Sequence, residues 1–342
     1  MPHAHLNGGT VVYDDTPAAS GDGAPVLLIN GIGGGRRVWE LHQTPALVRA
    51  GHRVVAPDNR GIIPDAHAPE DVTLEGMAAD AAALIEHLDL GPCRVVGFSM
   101  GVNVVAELLL KRPELVHQAV LMAGRATPRR FSDAILRAAR DLHDGGAAVP
   151  GSHHAVFSAL TYLSPHTLRD ERVVRDWLEV FEYAPPLSGP GIRAQYAVLD
   201  RLRPLDDYRS ITTPLLCLGF SDDVVVPAEA TEEIARTVPG ARYRTVERCG
   251  HYGFLERPAE VNAALLDFFA EGRGDTGAAG TAGTPGAAAA GVPGTAGTPG
   301  AAAAGTATDS TGASGAAAAA GSATGGAPGS GAAARTAGGE RG

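Results

Sequence analysis

The sequence predicts a mainly parallel, doubly wound α/β sheet interrupted by a block of helices, and three observations predict it. Strand-length apolar runs alternate with stretches of helical periodicity from about residue 25 to 124, and again from 214 to 270. Between Arg125 and about Pro204 the strand signals vanish and only helical patterns remain. The third is Val95-Val96-Gly97-Phe98-Ser99-Met100-Gly101, which joins a buried strand to an apolar helix through a G-x-S-x-G turn.

The elements follow in order. Residues 11–13 read as a first strand on the sheet edge. Residues 25–30 form a continuous apolar run ended by Gly31-Ile32-Gly33-Gly34-Gly35, the mark of a fully buried parallel strand followed by a glycine loop. The next strand is 53–58, and 74–88 has helical spacing with Thr73 as its cap. Strand 93–96, the Ser99 turn and helix 102–110 come next, stopped before Pro113, and 117–124 supplies another strand. Four helices are predicted at 131–143, 154–163, 169–183 and 191–202, broken by Pro150, Pro165, Pro185, Pro186 and Pro190. Alternation resumes with strand 214–219, helix 228–238, strand 242–246, a loop holding Gly250-His251, and an amphipathic helix at 258–270. The organisation is therefore a core from 1–124 and 205–271, a helical lid at 125–204, and a tail at 272–342.

The tail is Gly, Ala, Thr, Ser and Pro with almost no larger apolar residue, and residues 281–291 recur as 295–305. Such a composition cannot bury enough surface to offset the entropy of ordering, so it reads as disordered. Its Arg273, Arg335 and Arg341 cancel Asp275, Asp309 and Glu340, so the net charge of −10 belongs to the first 271 residues. An acidic surface without a basic run argues against nucleic acid and anionic membrane as partners; the expected partner is a small-molecule substrate. Cys93, Cys217 and Cys249 are an odd set without metal-ligand spacing, which fits a reduced cytoplasm. Neither a signal-peptide layout nor a membrane-length apolar run is present.

In open parallel sheets, function collects at the carboxyl ends of strands. Four such ends here carry Asn30-Gly31-Ile32, Ser99, Asp222-Asp223 and His251. A serine hydroxyl is a weak nucleophile at neutral pH and needs a base within hydrogen-bond reach, oriented in turn by a third group. Gly31-Ile-Gly33-Gly-Gly-Arg36 also follows a strand, but Arg36 stands where a dinucleotide fingerprint needs its third small residue. Asp58 and Arg60 read as residues that pin a turn. His153-His154 has no further ligand at metal spacing.

With the order Ser, Asp, His, these motifs resemble the α/β-hydrolase superfamily over roughly residues 10–271. Gly97 to Gly101 is similar to its nucleophile elbow, Asp58-Asn-Arg-Gly61 to a turn before one of its crossover helices, and Gly250-His251 to its histidine loop. Residues 218–227 together with 249–258 resemble the cofactor-free haloperoxidase-like branch, whose members include esterases and perhydrolases. The resemblance implies an α/β-hydrolase fold with a helical lid, and Ser99 as nucleophile with His251 as base. It further implies Asp223 as orienter, with Asp222 the alternative acid. Asp223 lies four residues before Pro227, as the family's acid does, whereas counting from Gly219 selects Asp222.

Backbone N–H groups of Ile32 and Met100 would form the oxyanion hole, and Asn30 stands where the family has His. Phe98 and Trp177 are candidate pocket residues. Such chemistry requires neither metal nor organic cofactor. The bond expected to break is a carboxylic ester, then a thioester, lactone or polyketide-like ester, then a C–C bond, with perhydrolysis where peroxide replaces water. Serine at the elbow argues against epoxide hydrolase and haloalkane dehalogenase chemistry, which need a carboxylate there. The rivals from other classes are a ligand-sensing protein and a non-hydrolytic enzyme on the same fold.

Overall fold

The structure, a computed structural model, describes residues 1–64, 66–146, 148–184 and 188–271. The tail read as disordered lies outside them. Eight strands form one sheet: β1 (His3–Leu6), β2 (Gly9–Thr16), β3 (Gly23–Ile29), β4 (His52–Pro57), β5 (Cys93–Phe98), β6 (Val116–Met122), β7 (Leu215–Phe220) and β8 (Arg242–Val246). Their order is β1-β2-β4-β3-β5-β6-β7-β8. The β1–β2 and β2–β4 pairs are antiparallel, and the remaining pairs are parallel. Residues 11–13 therefore are not at the edge, because β1 pairs outside them, His3 opposite Val12. This strand escapes a sequence reading because it has only four residues, of which Ala4 alone is buried.

Strand alternation divides the core into two layers. Leu27, Ile29 and Val95 point to one face, where they meet α2 (Leu74–His87), α3 (Met100–Lys111) and α9 (Ala228–Thr237). Val26, Leu28, Val96 and Phe98 point to the other, covered by α1 (Gln43–Arg49), α10 (Gly253–Glu256) and α11 (Pro258–Glu271). The Thr73 hydroxyl accepts from the Gly76 N–H and caps α2, satisfying one donor that the first turn leaves unpaired. Between β6 and β7 lie α4 (Arg130–Gly145), α5 (Gly151–Tyr162), α6 (Pro165–Leu168), α7 (Glu171–Tyr183) and α8 (Pro190–Val198). Within this block Ala155, Ala159, Leu163 and Phe181 form a small core of their own.

The turn at 58–61 is held by buried charges. Asp58 receives the Arg36 backbone N–H and guanidinium. Arg60 makes a two-pronged bond to Asp80 at 2.6 and 2.7 Å and a third to the Asp71 carbonyl. Removing one partner of a buried pair strands the other charge without solvent. Asp80→Ala is expected to cost about 3–5 kcal/mol, read as a lowered urea midpoint with little change in slope.

Candidate active site

The first chemically loaded side chain sits at a strained backbone position. Ser99 has φ 54° and ψ −120°, which a non-glycine residue adopts only when its surroundings compel it. Its neighbours show the compulsion: a β-carbon on Gly97 would lie 2.6 Å from the Gly101 carbonyl oxygen, and one on Gly101 would lie 2.5 Å from that of Ile29. The Ser99 N–H donates to the Met122 carbonyl on β6 at 2.9 Å, tying the turn to the next strand. Met100 is the first residue of α3, so its N–H has no carbonyl one turn back to receive it.

β3 and β5 are adjacent where the strand order reverses, the place at which open α/β sheets leave a crevice. The loop after β3 thus lies against the Ser99 turn: a β-carbon on Gly31 would come within 2.8 Å of the Ser99 Cβ. Asn30 shapes this loop from inside. Its Oδ1 accepts from the Gly31 N–H, its Nδ2 donates to the Gly35 carbonyl, and its own carbonyl accepts from the Asn59 side chain. A helix-block residue completes the loop: Gln195 accepts from the Gly33 N–H at 2.7 Å and donates to the Arg60 carbonyl at 2.6 Å.

His251, 4% exposed, lies in the loop after β8. Its Nδ1 is 2.7 Å from Asp223 Oδ2 and its Nε2 is 3.0 Å from Ser99 Oγ. The other oxygen of Asp223 accepts from the Val225 and Val226 N–H groups, which aims the carboxylate at the imidazole. A carboxylate partner makes Nδ1 the protonated nitrogen and leaves Nε2 to accept from the serine hydroxyl. Asp222 faces elsewhere: its N–H donates to the Cys249 carbonyl and its carboxylate accepts from Ser221. Phe98, 3% exposed, packs 4.9 Å from the imidazole and 4.6 Å from Phe254, flooring the histidine. Trp177 stacks on Phe181 at 5.4 Å and reaches Tyr252 at 6.3 Å, inside the helical block's own core.

The histidine loop is also fastened to the helices. Glu256 accepts from the Gly250 N–H with one oxygen, and from the Ser164 N–H and Thr167 hydroxyl with the other. Gly250 packs so closely on this block that a β-carbon would lie 2.7 Å from the Leu163 carbonyl carbon. Neither Glu256 nor Gln195 was singled out from sequence. The available signal for Gln195 was its place between Ile192 and Val198 at spacing three, a polar residue on an otherwise buried face.

The three cysteines are buried, and burial pushes the Cys93 and Cys217 thiols up to about 12. Among the described residues no group of three His, Cys, Asp or Glu side chains is placed to hold a metal ion, and His153 instead stacks on Phe157. No helix among them is long and apolar enough to cross a membrane.

The sheet, the strained elbow and its hydrogen-bonded partners define an α/β-hydrolase architecture. Residues 26–264 match the sequence profile of the alpha/beta hydrolase family, and the chain belongs to that family. BpoC of Mycobacterium tuberculosis, which carries the name non-heme bromoperoxidase, is 43% identical over 260 residues, spanning 76% of this chain and 97% of its own. Its crystal structure superposes with a TM-score of 0.72, over 77% of this chain and 96% of its own. A thermophilic esterase from Thermogutta terrifontis is 26% identical with a TM-score of 0.66, covering 79% of this chain and 98% of its own. The 2-hydroxymuconate semialdehyde hydrolase of Pseudomonas sp. strain CF600 is 26% identical over 271 residues, 74% of this chain and 89% of its own.

The opposite orientations of the two aspartates give a direct test. Asp223→Ala is expected to slow labelling of Ser99 by a fluorophosphonate about 10³–10⁴-fold, whereas Asp222→Ala should stay within about threefold of wild type. Intact-mass time courses measure both.

Proposed function

We propose that the protein is a serine hydrolase that cleaves a carboxylic ester, thioester or lactone of a small, largely apolar or polyketide-like substrate through an acyl-enzyme. The observation that carries this reading is the continuous hydrogen-bonded line from Asp223 through His251 to Ser99. In the proposed reaction Ser99 Oγ attacks the acyl carbonyl while His251 Nε2 takes its proton. Asp223 holds the ring in the reactive tautomer and stabilises the imidazolium. Negative charge on the tetrahedral oxygen falls between the N–H groups of Ile32 and Met100, where fixed dipoles need no reorganisation. His251 returns its proton to the leaving oxygen or sulfur, then deprotonates the water that frees the acid.

A second reading, perhydrolysis, is favoured by the likeness to the mycobacterial protein named as a bromoperoxidase. Hydrogen peroxide in place of water at the acyl-enzyme would release a peracid, able to oxidise halide in solution. The same triad serves both reactions, so they differ only in the second nucleophile.

The reading is tested with a fluorophosphonate and a series of p-nitrophenyl esters of increasing chain length. One adduct on wild type, none on Ser99→Ala, and a loss of ester turnover of about 10⁵–10⁶-fold in that variant are expected. Turnover that survives Ser99→Ala would move the protein to non-hydrolytic chemistry, and stoichiometric binding without turnover would mark a ligand sensor.

A further inference from the structure

Two phenols flank the histidine, and a third is close enough to act on them electrostatically. Tyr162 ends α5, Tyr252 follows His251, and Tyr196 lies on α8 next to Gln195. The Tyr162 and Tyr252 rings stack at 4.7 Å and 11°, and their centroids lie 6.2 and 6.3 Å from that of His251. Elsewhere the Tyr208 oxygen receives the Asn103 amide, and Tyr243 donates to the Ala228 carbonyl. Among the described residues the hydroxyls of Tyr162, Tyr196 and Tyr252 have none, yet none is sealed from water and all three side chains are only half-buried. Open to water and unclaimed by the protein, these hydroxyls are free to donate to a molecule that displaces that water. Burial raises all three phenols, and Tyr162 and Tyr196 lie near enough to push Tyr252 further, so each stays a neutral O–H donor across the physiological range.

The geometry points to a polar subsite beneath the helical block, in which Tyr162, Tyr196 and Tyr252 donate hydrogen bonds to a neutral oxygen acceptor on an aryl or otherwise unsaturated substrate. Neutral donors suit a ketone, enone or ether oxygen better than a carboxylate, which calls for a cation. Aromatic walls suit a planar group better than a flexible alkyl chain. This inference rests on the hydrolase reading and narrows its substrate class: oxygenated, planar esters over plain fatty esters.

The test uses substrates that differ by one oxygen. Methyl 4-oxo-4-phenylbutanoate is compared with methyl 4-phenylbutanoate, placing the ketone on the acyl side. Phenacyl acetate is compared with 2-phenylethyl acetate, placing it on the alcohol side. Each pair is normalised to its hydroxide-catalysed rates. Wild type is expected to favour the ketone of at least one pair by about tenfold or more in kcat/KM, since a site built for a hydrogen bond rejects the analogue that lacks it. Tyr162→Phe, Tyr196→Phe and Tyr252→Phe keep the rings and should each lower that preference about fivefold or more, chiefly through KM. The methylene ester, which offers the subsite no acceptor, should lose distinctly less than the ketone in the same variants. Equal rates within both pairs, a preference untouched in all three variants, or parallel loss on both members of a pair would overturn the subsite.

If wild type neither labels nor turns over any ester, the hydrolase reading fails by itself. Calorimetric binding of 4-oxo-4-phenylbutanoate and 4-phenylbutanoate to Ser99→Ala then decides the subsite. Tighter binding of the keto acid that is lost in the Phe variants upholds it, and equal binding overturns it.

Discussion

The close approach of the Gly31 backbone to Ser99 is the contact on which the site depends. Two parallel strands neighbouring each other at the reversal of strand order deliver their loops to the same point. A side chain on Gly31 would occupy the space of the Ser99 Cβ, and one on Gly101 would collide with the end of β3. Glycine at these places is therefore a steric requirement. The positive φ of Ser99 is held by this contact and by the bond to the Met122 carbonyl.

Around that contact, polar groups from distant parts of the chain fix what packing alone leaves loose. Asn30 binds the loop it begins, Asn59 binds the Asn30 carbonyl, and Gln195 bridges Gly33 to Arg60. Arg60 is held by Asp80 on α2, so the loop beside Ser99 is braced through the turn at 58–61 to a helix on the sheet's flank. At the head of the loop, Asn30 makes these local bonds with its own side chain.

Most of the architecture was legible because burial on both faces forces continuous apolar runs in parallel strands. Residues 25–30, 93–96 and 214–219 could be read that way, each within a few residues of the observed strand. The elbow and the histidine loop were legible because their glycines and order are local. β1 and α1 were missed, being short and without a long periodic signal. The count back from Pro227 favoured Asp223 over Asp222, and folding supplies what the count lacked, the bond between Asp223 and His251. Gln195, Glu256 and the trio of phenols were illegible for a common reason: their partners lie far away in the chain, and only folding brings them together.

The single carboxylate of Glu256 joins the histidine loop to the helical block. It grips the histidine loop at Gly250 and the helices at Ser164 and Thr167, so parting the helices from the sheet releases the backbone that carries His251. One carboxylate thus ties the position of the His251 loop to the seating of the helices, so a change in either is felt by the other.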